Sequence, residues 1–316
     1  MIETSWSQEK PQSSDLKGFV ALSYTWGNPV PKSKIEIDGR PFEITRNLEL
    51  ALRHLRLQRT ELRLWADSIC INQDDTEERN RHVRQMRSIY SAAKETTIFL
   101  GEATEGSEVL LNAMNDARID ITLATSKNAV VKGLMNASGL SKRQLIEKAF
   151  EILGRRYWRR IWVFQEVVAS ENPWVQCGRV KVPWELFCQA LIALFHSDVK
   201  QWGTGYDNEP KRRLEDTYWE RRAYRHSQGL TERLPRWDMA SGHEFEGRTR
   251  LLDLLVTKRG SEASDSRDMV FALAGIAKTP MDWNPVSITY EKSVSLVYMK
   301  YILPYSFITI QKLIEM

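Results

Sequence analysis

The chain is poor in the residues that build metal and disulfide sites. Its three cysteines, Cys70, Cys177 and Cys188, lack metal-type spacing. An odd count in so long a chain argues against a disulfide framework and for a reducing compartment. The five histidines are scattered, with no HxxxH pair, so no structural metal is expected. No apolar run approaches the roughly 18 residues of a membrane helix, and the polar start MIETSWSQEKPQSSD does not read as a signal peptide. A cytoplasmic location without a membrane span is expected. Neither a GxGxxG nor a GxxxxGK(S/T) loop occurs, which disfavours an ordinary dehydrogenase or P-loop enzyme. Charge of one sign is lacking too: a net +4 is spread through mixed segments such as KRRLEDTYWERRAYR, too weak a footprint for nucleic acid.

What is present is a globular composition, 42% hydrophobic and 27% charged over 316 residues, enough for one large domain or two ordinary ones. After a polar arm, FVALSYTW reads as a buried strand that runs into the turn GNP. KIEIDGRPFEI alternates around Asp38-Gly39, a hairpin signal, and NLELALRHLRL is an amphipathic helix. ELRLWADSICI reads as a second strand. Asp75 with Glu78 three residues on fits a capping box, and Val83, Met86, Tyr90 and Ala93 form the core stripe of the helix it starts. ETTIFLG is a third strand. Strand–helix–strand–helix–strand implies a parallel sheet with helices on its faces. From 105 to 145 there is more helix, broken by TSKNAVVKGLMNASG. YWRRIWVFQEVVAS is a further helix and NPWVQCGRV a fourth strand. Residues 200–247 read as a long irregular connection, and TRLLDLLVTKR and DMVFALAGIA as helices. The chain stops inside an apolar segment, as expected of a piece of a longer protein.

The helix YWRRIWVFQEVVAS poses a problem. It is apolar almost all round, yet carries Gln165 and Glu166. As one continuous helix it would place Trp158, Trp162 and Glu166 on a single stripe, and no cation stands three or four residues from Glu166. Buried polar groups without partners cost about 1–3 kcal/mol each, charges more. In an open parallel sheet, ligands sit beyond the carboxyl ends of the strands. The first strand delivers Ser23, Tyr24, Thr25 and Trp26 there, just before Gly27. The second delivers Asp67, Ser68, Cys70, Asn72 and Gln73. A crevice at that rim would supply partners for Gln165 and Glu166. Plainer roles compete: turn residues for Ser23 and Thr25, core packing for Trp26 and Cys70, helix caps for Asp74 and Asp75, loop hydrogen bonds for Asp67, and a solvated face or salt bridge for Arg159 and Arg160.

Three ordered blocks, ALSYTWG, LWADSICINQDDTEERNRHVRQMRSIYSAAKETTIFLG and RRIWVFQEVVAS, resemble the fungal heterokaryon-incompatibility (HET) domain. ASDSRDMVFALAGIA and VSITYEKSVSLVYMKY resemble segments that follow it, with Ser and Met where members often carry Pro and a basic residue. HET domains are regarded as distant relatives of TIR domains, in which the helix after the third strand carries a Trp, three variable residues and a Glu. WVFQEV has that spacing, with Trp162 and Glu166 in the matching positions. The resemblance implies an α/β fold with a TIR-like (flavodoxin-like), mainly parallel sheet flanked by helices, an inserted hairpin and a mostly helical C-terminal extension. Its domains would be a polar arm over 1–18, a HET domain over 19–185 with a helical insertion at about 105–145, and the extension over 186–316. Enzymatic TIR domains cleave the nicotinamide–ribose bond of NAD with that Glu, so Glu166 is the catalytic candidate and NAD a candidate substrate rather than a cofactor. A carboxylate suits the positive charge that builds on ribose, while Trp26 and Trp162 offer stacking faces. Two functions remain open. One is an NAD-cleaving effector of non-self recognition and programmed cell death. The other is a non-enzymatic module that acts by self-association, as a homo-oligomer, or through an incompatibility or NLR-type signalling partner.

Overall fold

The computed structural model describes residues 18–30, 32–57, 59–196, 209–230, 235, 237, 251–277 and 288–301. Its centre is β1 (Val20–Tyr24), buried at every residue. This strand is sandwiched in parallel register between β4 (Leu64–Trp65) and β5 (Glu95–Phe99). β6 (Pro173–Cys177) pairs in parallel with β5, and β7 (Val180–Pro183) closes the edge antiparallel. The order is β4-β1-β5-β6-β7. From β1 the chain moves outward to β4, then returns across β1 to β5, so its direction of progress reverses between β1 and β5. That reversal opens a crevice at the carboxyl ends of these strands. The expected α/β class, with a mainly parallel sheet flanked by helices, is what the structure has.

Between β1 and β4 stands the hairpin β2 (Lys32–Ile37) and β3 (Arg40–Thr45), a separate two-stranded sheet. Its turn holds Asp38 at φ 50° and Gly39 at φ 74°, the left-handed pair that matches strand twist. Helix α1 (Arg46–Leu55) follows directly, capped by Thr45, and packs on one face of β1. α2 (Asp67–Cys70) and α3 (Thr76–Ala92) follow β4. Asp75 caps α3 as expected, accepting from the Glu77 and Glu78 amides. Glu78 reaches the Asn72 amide at 3.0 Å rather than Asp75 itself, so the box is not reciprocal. The stripe Val83, Met86, Tyr90 and Ala93 is buried against the opposite face from α1.

Four expectations change. The second strand is only two residues long, because the chain turns into α2 at Asp67. The stretch TSKNAVVKGLMNASG is not a break but α6 (Lys127–Ser138), capped by Ser126 and ended by Gly139 at φ 69°. It stands with α4 (Glu105–Asp116), α5 (Arg118–Leu123) and α7 (Lys142–Leu153) in a helical layer over β5–β7. Residues 157–170 are not one helix: a 3-10 turn at Arg156–Arg159 and an extended Arg160 (ψ 132°) precede α8 (Trp162–Ala169). Within 200–247, Glu209–Ser227 is helix α10. Its charged residues lie where the sequence reads as an irregular connection, and several of them, such as Arg221 and Arg222, are tied into the interior.

α9 (Trp184–His196) crosses the 185/186 boundary and joins the same core as the sheet. α11 (Leu251–Thr257), α12 (Asp268–Ala274) and α13 (Val294–Tyr301) pack on the α3 side. α8 lies between the two cores, Val163 and Val167 facing one and Phe164 and Val168 the other, which is why it is apolar all round. The polar arm, apart from Gly18, and the apolar end beyond Tyr301 lie outside the described residues. No described helix is long and apolar enough to cross a membrane.

Candidate functional site

The carboxyl end of β1 fixes the floor of the crevice. Ser23 is 1% exposed, and its Oγ donates to Glu166 Oε2. Tyr157 lies 2.6 Å from the same Oγ. Because a serine has one proton to give, the chain runs Tyr157 to Ser23 to Glu166. Glu166 does have a cation, contrary to the expectation from a continuous helix. Arg160 stands 3.9 Å away, six residues upstream, where the break before α8 turns it back over the carboxylate. The Arg160 guanidinium also donates to the Tyr24 carbonyl. Burial pushes the Glu166 carboxyl up to about 7; Arg160 and the Ser23 hydroxyl pull it down, and the charge of Asp67 adds to the rise. Near neutrality this group both gives and takes a proton.

Above this floor opens a cleft of about 490 Å³, within the range of small-molecule sites. Trp26, Gly27, Asp67, Gln73 and Trp162 line it, as does Arg160. Trp26 donates to both Asp67 oxygens at 3.0 and 2.8 Å, so the indole and carboxylate form one rigid rim. Burial raises the Asp67 carboxyl, restrained by Arg160, Trp26 and the Ser68 amide. Gln73 braces the rim by donating to the Asp67 carbonyl at 3.1 Å. Gly27 has φ 76°, and a Cβ there would lie 2.5 Å from the Asn47 side-chain nitrogen, so glycine alone suits this turn.

Ser23 and Glu166 are not on the cleft surface; Arg160 stands on it. Tyr24 is buried, with its hydroxyl 2.6 Å from Ser68. Asn72 is exposed and folds onto its own turn, accepting from the Asp74 amide at 3.1 Å. Gln165 points away from the cleft, between helices. With its amide set to satisfy both neighbours, it donates to the Ala272 carbonyl at 3.2 Å and accepts from the Arg87 amide at 3.1 Å. The polar pair of α8 therefore divides: Glu166 serves the crevice floor and Gln165 ties α8 to α12 and α3.

The far wall comes from the C-terminal segment. Glu262, Asp265, Asp268 and Tyr290 line the cleft with Arg79 and Arg156. Glu262 pairs with Arg156 at 3.2 Å, and its backbone clamps the Arg160 loop, the Ile161 amide donating to its carbonyl at 3.0 Å. Asp268 takes hydrogen bonds from Tyr290 and the Trp162 indole. Asp265, Asp268 and Tyr290 fall in the two later segments that resemble HET proteins, so a signal for them existed without assigning them to the site. Arg79 likewise falls in the second block that resembles the HET domain, but it stands in a mixed-charge helix start that reads as solvated.

A sequence model of the family "Heterokaryon incompatibility protein (HET)" matches residues 19–166. The chain is also 28% identical over 194 residues to Heterokaryon incompatibility protein 6, OR allele, of Neurospora crassa. That match covers 51% of this chain but 28% of the relative, so the chain spans less than a third of that protein. No solved structure matches. The matched segment holds β1, the Asp67 rim, α3, β5 and Glu166, the elements that frame the crevice. Over residues 19–166 the chain is therefore similar to the heterokaryon incompatibility (HET) family.

Proposed function

We propose that this protein is an effector of heterokaryon incompatibility, triggering cell death by cleaving the nicotinamide–ribose bond of NAD, with Glu166 as the acting carboxylate. The observation that carries this reading is the carboxyl of Glu166, held by Ser23 at the point where the sheet reverses, with burial raising it to about 7. Bond cleavage leaves positive charge on the ribose, which an ionised carboxylate in a low-dielectric floor stabilises strongly. The strand order β4-β1-β5-β6 agrees with the flavodoxin-like arrangement that the TIR resemblance implies, and Trp162 and Glu166 keep the TIR spacing. Trp26 and Trp162 on the cleft wall offer faces to the two rings of NAD. The guanidinium of Arg160 separates the cleft from Glu166, so catalysis in this reading requires Arg160 to swing aside.

A second reading is supported by that same closure. Glu166 is 1% exposed and fully engaged, as a structural hub would be, in which case the domain signals by assembly alone. Purified protein, dilute and clustered, is incubated with NAD and free nicotinamide is measured. The first reading expects release that Glu166→Gln abolishes while the fold is kept. Release by Glu166→Gln at the wild-type rate, or none from folded wild type in either state, sinks it.

A further inference from the structure

The cleft has a cation to spare, and the charges around it can be assigned one by one. Asp67 is held by the Trp26 indole and by the Ser68 amide at 2.8 Å. Glu262 pairs with Arg156 and Arg159. Asp265 is gripped by Arg267, with Nε to Oδ1 at 2.9 Å and a second nitrogen on Oδ2 at 2.5 Å. Asp268 is satisfied by Tyr290 and Trp162. Arg160 faces Glu166 and the Tyr24 carbonyl. Arg79 is left over. Among the described residues its guanidinium makes no hydrogen bond or ion pair. It stacks on the Tyr290 ring, 4.1 Å from the centroid, and its Nε is buried without a partner. Asp265 and Asp268 feel its charge only from a distance.

A guanidinium is a rigid fork of donors suited to a planar or tetrahedral oxyanion. One that lines a cleft, fixed in orientation by an aromatic ring and carrying a buried unused donor, is set to receive such an anion. We infer that Arg79 is the receptor for the phosphate or diphosphate of the ligand that enters this cleft, with Arg160, which lines the same cleft, as its second contact. The inference rests on the cleft being a ligand site, as in the proposed function, and adds the group it recognises. It also supplies a reason for Arg160 to move. An anion in the cleft competes with Glu166 for that guanidinium, so binding the phosphate draws Arg160 outward and uncovers the carboxylate beneath. A ligand without phosphate leaves the cover in place.

The test titrates the full chain by calorimetry with ADP, adenosine and inorganic pyrophosphate. Wild type should bind ADP at least tenfold more tightly than adenosine, and pyrophosphate should compete with ADP. Arg79→Ala should lose at least tenfold in ADP affinity with little change for adenosine, and Arg79→Lys should recover part of the loss. Circular dichroism confirms the fold of each variant, and should Arg79→Ala unfold, Arg79→Gln takes its place. Equal binding of ADP and adenosine by wild type, no binding of ADP, or wild-type ADP affinity in folded Arg79→Ala overturns the inference. The two proposals fail separately. NAD cleavage with an unchanged KM in Arg79→Ala removes only the anion site. Arg79-dependent ADP binding without NAD cleavage removes only the catalytic reading.

Discussion

Between about pH 4.5 and pH 7 the unfolded chain ionises Glu166 while the folded chain still keeps its proton, because burial raises the carboxyl to about 7. The native state then binds more protons, so stability falls as pH rises. The contribution is fully present below the unfolded value, and once the folded carboxyl ionises the loss reaches about 3 kcal/mol. Glu166→Gln removes the titration. Its urea midpoint relative to wild type should climb steadily from pH 5 to pH 8; a constant or falling difference contradicts the assigned protonation. Ser23→Ala is the companion test at this scale. It strips a buried hydrogen bond from Glu166 and another from Tyr157, and should cost on the order of 2 kcal/mol in chemical denaturation. A change below about 0.5 kcal/mol would mean that the two groups find replacement partners, such as water.

At the scale of elements, α8 is positioned from its far end. Arg221 of α10 is 2% exposed and donates to the carbonyls of Val167 at 2.9 Å and Val168 at 3.3 Å, and to that of Ser170. The last carbonyls of a helix have no partner within it, and a guanidinium there satisfies them and meets the negative end of the helix dipole. Arg221→Ala should therefore cost about 3 kcal/mol or more, measured as loss of urea midpoint, and Arg221→Lys should rescue only part. Wild-type stability in Arg221→Ala contradicts this role. Such long-range ties explain what the sequence could and could not disclose. β1, β5, α3 and the hairpin were legible, because their hydrophobic periods and the Asp38-Gly39 turn are local. The Ser23, Asp67 and Glu166 neighbourhood was legible from where strands end. α10 was not: its arginines look solvated until their partners on α8 and at Glu185 are in place. Nor was Arg160 as the partner of Glu166, since the helix break that brings it round is sustained by Glu262, about a hundred residues later in the chain.

Across the whole molecule, the cleft belongs to two parts of the chain. The segment matched to the HET model supplies the rim and floor, while Glu262, Asp265, Asp268 and Tyr290 line the opposite wall and Glu262 clamps the Arg160 loop. In the proposed function, death signalling passes through the Glu166 carboxylate and not merely through a folded scaffold. Gln is close to isosteric with Glu and still accepts from Ser23, so it separates charge from shape. The most direct measurement induces wild type or Glu166→Gln to matched soluble levels in fungal cells and follows cellular NAD and viability together. The account predicts that wild type depletes NAD before the cells die, and that Glu166→Gln does neither. Full killing by stably folded Glu166→Gln would contradict it.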